Sequence, residues 1–325
     1  MTETILSVRN LRVEFPTRRG LLVGLDDVSF DIRAGEVLGV VGESGAGKSM
    51  TGAAIMQQIA KPGRIAGGEI RLKGDRIDNL SPKAMERVRG RHIGMVFQDP
   101  LTSLNPLMTV GEHLVETIRI HTDLSREAAR KRAIELLDEV GISDPQSRML
   151  RYPHEFSGGQ RQRVVIALAL CAEPALVIAD EPTTALDVSI QAQIIALIRR
   201  LCDDRGTAFM LITHDMGMIA ETADRVAVLY AGRVAEVGTV KDVVTQPKHP
   251  YTQGLMAAIP TLEADVDRLR QIPGSMPGLS AIPSGCAFRP RCDFRMDICS
   301  TSRPPLSGDA AHVAACHLIQ KEMAI

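Results

Sequence analysis

An α/β fold is predicted by three features of the sequence. Short apolar runs with strand character recur between stretches of helical periodicity. One run, residues 37–41, passes through a glycine-rich turn into a helix-like stretch. The same alternation resumes beyond a long, mostly helical middle.

The elements follow in chain order. Residues 5–15 alternate in the manner of a strand, with Leu6, Val8, Leu11, Val13 and Phe15 apolar. Residues 28–32 alternate again and stop at Ala34-Gly35. Residues 37–41 are wholly apolar, as suits a strand covered on both faces. A helix is expected from Lys48 to about residue 59, with strands at 69–72 and 92–97. Residues 99–165 are mostly helical. There Ser125 is an N-cap, Ala129, Ala133, Leu136, Leu137 and Val140 share one face, and Gly141 ends the helix. Residues 175–179 and 208–212 are apolar strands on either side of a helix at 188–201. Residues 226–229 and 233–237 form a hairpin around Ala231-Gly232. From about 240 the chain holds half of its 18 prolines, which predicts an extended tail or a small irregular domain.

Composition removes several classes. With 38 Lys+Arg against 39 Asp+Glu, the net charge of −1 does not suit a nucleic-acid coat. Tryptophan is absent and aromatics are 3%, too few for base-stacking platforms. No apolar run approaches the ~18 residues of a membrane span. The first residues lack a basic segment followed by an apolar one, so no secretory signal is expected and the chain should remain in the cytoplasm. Of six cysteines, Cys286, Cys292, Cys299 and Cys316 crowd the C-terminal part, and Cys171 and Cys202 sit in apolar helical surroundings. In a cytosolic chain such a cluster suggests metal ligands before disulfides.

Gly42-Glu43-Ser44-Gly45-Ala46-Gly47-Lys48-Ser49 fits G-x-x-x-x-G-K-[ST] at every fixed position, between a strand and a helix. Glycines let the backbone turn its N–H groups toward phosphate oxygens, and the helix N-terminus adds positive dipole character. Lys48 reaches the β- and γ-phosphates, and Ser49 offers its hydroxyl to Mg²⁺. The strand at 175–179 ends in Asp180-Glu181. Buried carboxylates need a cation, and Mg²⁺ supplies one. Asp180 would hold it, and Glu181 would deprotonate the attacking water. Ser157-Gly158-Gly159-Gln160 opens another helix with small residues, a second backbone cradle for an anion.

Together these motifs resemble the ATP-binding subunits of ABC transporters. Ser157-Gly-Gly-Gln160 matches the family's signature, with Phe156 where Leu is usual. Gln98 matches the Q-loop, Ala185-Leu186-Asp187 the D-loop and His214 the switch histidine. A lone histidine after a buried strand would ordinarily be structural, but its place in the motif order changes that. The resemblance implies a RecA-like P-loop NTPase core with an antiparallel β subdomain. It also implies an inserted helical subdomain at about 99–165, all within a nucleotide-binding domain of residues 1–240. Two cassettes would pack head to tail, so Ser157, Gly158, Gly159 and Gln160 would touch ATP held mainly by the partner's phosphate loop. Gln98 would contact Mg²⁺ and the water, His214 would hold the γ-phosphate, and Asp187 would shape the dimer contact. Phe15 would stack on adenine, and Met50 would line the same nucleotide pocket.

Gln98-Asp-Pro-Leu-Thr-Ser-Leu-Asn-Pro106, His249-Pro-Tyr-Thr-Gln-Gly-Leu255, residues 272–277 and Gly285-Cys-Ala-Phe-Arg-Pro-Arg-Cys292 resemble the importers of dipeptides, oligopeptides and nickel. Residues 241–325 would then be the extension of the peptide branch. That branch implies ATP-driven peptide import, a second and paralogous ATPase subunit, two transmembrane permease subunits and an extracytoplasmic peptide-binding protein. No nucleic acid is implied, and the chain would sit peripherally at the cytoplasmic face of the inner membrane, held there by the permease. Nickel, glutathione and opine-like solutes are alternatives, as is a soluble non-transport ABC ATPase. The cysteine spacing lacks the C-x₂-C pairs of common zinc modules. The resemblance points to a [4Fe–4S] cluster on the four cysteines, with Zn²⁺ or free thiols as alternatives and His312 or His317 as substitute ligands.

Overall fold

A computed structural model of the chain describes residues 3–259, 271–309 and 311–323. Residues 1–2 of the N-terminal segment and the stretch 260–270, with Pro260 of the proline-rich region, lie outside the described residues.

Strands β1 (Thr4–Thr17) and β2 (Gly20–Arg33) come first. Strand β3 (Val37–Val41) is buried at all five positions, as its unbroken apolar run requires. Helix α1 (Lys48–Ile55) ends earlier than the periodicity suggests. Gln57 turns to φ 48°, and its side chain donates to the Ile77 carbonyl at 2.6 Å, which stops the helix. Strands β4 (Arg64–Leu72) and β5 (Asp75–Arg76), helix α2 (Pro82–Glu86) and strand β6 (Ile93–Val96) follow. The middle contains α3 (Val110–His121), α4 (Arg126–Glu139), α5 (Pro145–Arg148) and α6 (Gly158–Leu170). Next come β7 (Leu176–Asp180), α7 (Val188–Arg205), β8 (Ala208–Ile212) and α8 (Met216–Thr222). Strands β9 (Arg225–Tyr230) and β10 (Arg233–Thr239) lead to α9 (Val240–Thr245) and α10 (Pro250–Ala257). Helix α11 (Ile298–Thr301), strands β11 (Ser307–Gly308) and β12 (Val313–Ala314), and α12 (His317–Met323) complete the chain.

These elements form two compact units, each drawn from several stretches of sequence. One comprises Met1–Ile5, Ile32–Val37 and Asn79–Ile212. Its centre is the parallel trio β6, β7 and β8, with Ile93 beside Leu176 and Leu176 beside Ala208. Every residue of β7 and β8 is buried, and α6 and α7 pack against this layer. Helix α3 packs on α4 and α6 through Val110, Leu114 and Ile118. The expected cap and face of α4 are present. Ser125 accepts a hydrogen bond from the Ala128 N–H at 3.2 Å, Ala129, Ala133, Leu136 and Leu137 are buried, and Gly141 adopts φ 78°.

The other unit comprises Leu6–Asp31, Leu38–Asp78 and Thr213–Ile325. It contains the antiparallel sheet ordered β2-β1-β4-β5. It also pairs β3 parallel with β9, and β9 antiparallel with β10. The hairpin turn is the expected one, with Ala231 at φ 48° and Gly232 at φ 75°. The proline-rich extension is no loose tail among the described residues. Strand β12 pairs with the outer side of β10, placing Val313 opposite Val237. Arg303 bonds the Asp26 carbonyl at 3.0 Å and its carboxylate at 3.2 Å. Tyr230, Tyr251 and Phe288 form an edge-to-face cluster, with ring centroids 4.7 and 5.2 Å apart for the pairs that include Tyr230.

Candidate active site

The second unit carries the phosphate loop. Gly42, Gly45 and Gly47 have φ of 149°, 82° and 103°, a region that side chains rarely tolerate. A Cβ on Gly42 would lie 2.3 Å from the Leu229 carbonyl oxygen, and one on Gly47 would lie 2.8 Å from Leu25. The loop is therefore wrapped against β9 and β2, and only glycine fits its bends. Lys48 is buried, and its ammonium donates to the carbonyls of Gly42 at 2.8 Å and Glu43 at 3.2 Å. No side chain caps α1, so its N-terminus faces the loop that precedes it. Phe15 lies close to Gly24 and Gly63, and Met50 closes on Gly24 from α1. Phe15 and Met50 thus both lie against Gly24. His214, in the stretch of this unit that begins at Thr213, is exposed, while its neighbour Asp215 caps α8 by accepting hydrogen bonds from the N–H groups of Gly217 and Met218.

The first unit carries the acid-ended strand. Asp180 closes β7 and is buried. Glu181 follows at φ 47°, a left-handed turn that swings its side chain out of the strand direction. Its Oε2 accepts hydrogen bonds from Gln98 Nε2 at 3.0 Å and Thr184 Oγ1 at 2.9 Å. Two residues singled out 83 positions apart therefore meet directly. Thr184 is a third member that sequence reasoning missed; no motif marks it, and only the turn after Glu181 brings it there.

The signature segment is built as a cap. Ser157 Oγ accepts from the Gln160 N–H at 3.3 Å, and Gln160 Oε1 accepts from the Ser157 N–H at 3.0 Å, a reciprocal capping box on α6. Both glycines have an internal reason that the sequence did not reveal. A Cβ on Gly158 would lie 3.3 Å from Leu186, and one on Gly159 would lie 2.6 Å from Ile190. The signature thus packs on the turn and helix that carry Asp187, the residue opening α7. Phe156 is buried in front of the cap, with the Arg148 guanidinium 5.6 Å above its ring.

Cys286, Cys292, Cys299 and Cys316 all line one small cavity with His249, Phe288, Met296 and His317. All four are free thiols. Burial pushes the Cys316 thiol up to about 11, and the three other cysteines add to the shift. Burial likewise raises Cys286 and Cys292. As they stand, no three His, Cys, Asp or Glu among the described residues are drawn close enough to hold a metal ion. His312 lies elsewhere, its ring 2.6 Å from the fully buried Glu236 carboxylate. His317 lines the cavity but meets the Ser302 carbonyl at 3.0 Å. Cys171 and Cys202 are buried, Cys202 with the Arg199 guanidinium 3.6 Å from its sulfur, and burial pushes the Cys171 thiol up to about 12.

Sequence reasoning also missed a surface groove on the first unit, about 780 Å³ in volume. Leu107, Ile120 and Leu150 line it at 84%, 68% and 65% exposure, among Arg119, Arg126 and Arg130. The available signal was Ile120 on the polar side of α3. Among the described residues no helix is long and apolar enough to cross a membrane.

A P-loop on a parallel sheet, an acid-ended strand bonded to a distant glutamine, and a glycine cap on a helical insert define an ATPase of the cassette class. Residues 25–184 match the ABC transporter family, and residues 235–299 match the C-terminal region of oligopeptide/dipeptide transporters. The chain belongs to the ATP-binding proteins of the ABC transporter family. It is 48% identical over 304 residues to the oligopeptide transport ATP-binding protein OppD of Escherichia coli, covering 94% of this chain and 90% of that one. It is 50% identical to OppD of Bacillus subtilis, covering 93% and 85%. The fold is that of the ATP-binding cassette MJ0796, solved as a dimer with ADP and Pi, at TM-score 0.65 and 28% identity over 73% of this chain and 99% of that one. Cassette cbiO1 of Clostridium perfringens superposes at 0.65 with 30% identity, over 75% and 92%.

Proposed function

We propose that this chain hydrolyses ATP to drive import of di- and oligopeptides through a membrane permease. The carrying observation is the kinship to oligopeptide transport ATP-binding proteins across both the cassette and the extension. Residues 1–240 act as the nucleotide-binding domain, with 99–165 as its helical subdomain and 241–325 as the extension. Lys48 and the loop amides would hold the phosphates, and Ser49 and Asp180 would hold Mg²⁺, which when bound supplies positive charge to the phosphate oxygens. Glu181 takes a proton from water as the water attacks the γ-phosphorus, and the bond to the ADP oxygen breaks. Gln98 orients Glu181 and the water, a role that their 3.0 Å hydrogen bond supports. His214 steadies the γ-phosphate. Ser157, Gly158, Gly159 and Gln160 cap the nucleotide of a second, paralogous ATPase subunit, and Asp187 borders that contact. Phe15 stacks on the adenine.

Two permease subunits and an extracytoplasmic binding protein complete the transporter, and the chain sits at the cytoplasmic face of the membrane through the permease. The apolar groove around Leu107, Ile120 and Leu150 supports docking of a permease segment, since exposed apolar surface rimmed by charge marks interaction sites. Reconstitution with permease and binding protein in liposomes tests this. Uptake of labelled oligopeptide that needs ATP is expected; uptake of nickel or glutathione in its place would overturn the peptide assignment.

We further propose that Cys286, Cys292, Cys299 and Cys316, which line one cavity but as they stand are not drawn close enough to hold a metal ion, would close around an iron–sulfur cluster. Support comes from the chemistry of the donors. Four thiols line one cavity, and on metal binding they would lose their protons to become thiolates whose mutual repulsion the metal's charge offsets. When bound, a [4Fe–4S] cluster would supply that positive charge and a covalent staple for a proline-rich segment. Anaerobic purification should yield about four irons and four sulfides per chain. Serine at Cys292 should abolish both. Stoichiometric zinc without sulfide would replace the cluster with a zinc staple, and metal-free protein would remove the site.

A further inference from the structure

The extension reaches the phosphate loop through an ion pair whose arginine side is buried. Arg291, next to Cys292, donates to both carboxylate oxygens of Glu43, at 2.5 and 2.9 Å. Its side chain is 5% exposed, and its Nε donates to the Pro273 carbonyl at 2.7 Å. Glu43 is the second residue of the phosphate loop, and every polar group it has is engaged. Its N–H donates to the Tyr251 hydroxyl at 2.8 Å, its carbonyl accepts from Lys48 at 3.2 Å, and its carboxylate faces Arg291. Two of these three partners, Tyr251 and Arg291, lie beyond residue 240. The extension also passes the loop at Met276, which a Cβ on Gly45 would meet at 3.8 Å.

The electrostatic consequence is specific. A carboxylate fixed within a loop that receives polyphosphate repels the ligand, and in a partly buried setting that repulsion is weakly screened. A bidentate guanidinium cancels it at close range. We propose that Arg291 is a positioning residue for nucleotide binding: it pins and neutralises the Glu43 carboxylate, which makes the phosphate loop fit for a polyanion. This rests on the assignment of residues 42–49 as the nucleotide loop. The cysteine segment thereby sets nucleotide affinity without touching nucleotide.

The test is calorimetric titration of MgADP into the full chain, purified anaerobically and matched for iron content. Arg291→Met should weaken binding about tenfold, and Arg291→Lys about threefold or less. Glu43→Gln introduced beside Arg291→Met should recover binding to within about threefold of the unsubstituted chain, because it removes the repelling charge. Glu43→Gln alone leaves the guanidinium uncompensated beside the loop, so MgADP affinity should rise severalfold. That arm decides the matter should Arg291→Met fail to fold. Unchanged affinity in Arg291→Met overturns the proposal. So does a loss that Glu43→Gln does not recover, since a packing role predicts no rescue. Unchanged or weakened binding in Glu43→Gln alone overturns it as well. An unsubstituted chain that binds no MgADP refutes the nucleotide loop itself, a result distinct from all of these.

Discussion

Replacing Glu181 by glutamine is expected to leave ATP affinity within about twofold and to lower turnover at least a hundredfold, roughly the contribution of a positioned general base. The geometry makes this substitution clean. The carboxylate is aimed by a left-handed backbone turn and by two donors, Gln98 Nε2 and Thr184 Oγ1, on one oxygen. A glutamine carbonyl can accept both bonds from the same position. Shape and contacts persist, and only the capacity to take a proton is lost. Turnover is measured by phosphate release and affinity by calorimetry. Hydrolysis at the unsubstituted rate would sink the assignment of Glu181 as base.

The cassette was legible because its signals are local. Strand β3 is an unbroken apolar run, α4 announces its cap and its face, and the phosphate loop is written in consecutive residues. The sequence motifs marked Gln98 and Glu181 separately, and the hydrogen bond between them, 83 positions apart, is visible only in three dimensions. The extension resisted reading for the opposite reason. Its hold on the rest of its unit comes from contacts far apart in sequence, such as Arg291 to Glu43 at a separation of 248 residues and β12 on β10. Single arginines and two-residue strands carry no periodicity. The signature glycines show a third case. Their composition signalled close approach, but the neighbours requiring it inside this chain, Leu186 and Ile190, are visible only in three dimensions.

Lys48→Ala is expected to shift the complementary quantity. The buried ammonium donates to the carbonyls of Gly42 and Glu43 and so ties the loop to the start of α1. Those carbonyls offer partial charge only, so a phosphate oxygen bearing formal charge outcompetes them. Alanine removes both the tie within the loop and the cation that replaces it on binding. Charge-assisted bonds of about 1.5–3 kcal/mol each place the loss near a hundredfold in ATP affinity. Calorimetry on the full chain reads it directly. The contrast with Glu181→Gln makes the pair decisive: one variant should bind and not turn over, and the other should bind poorly from the start. Normal ATP affinity in Lys48→Ala would remove the phosphate-loop role and return the nucleotide site to be found elsewhere.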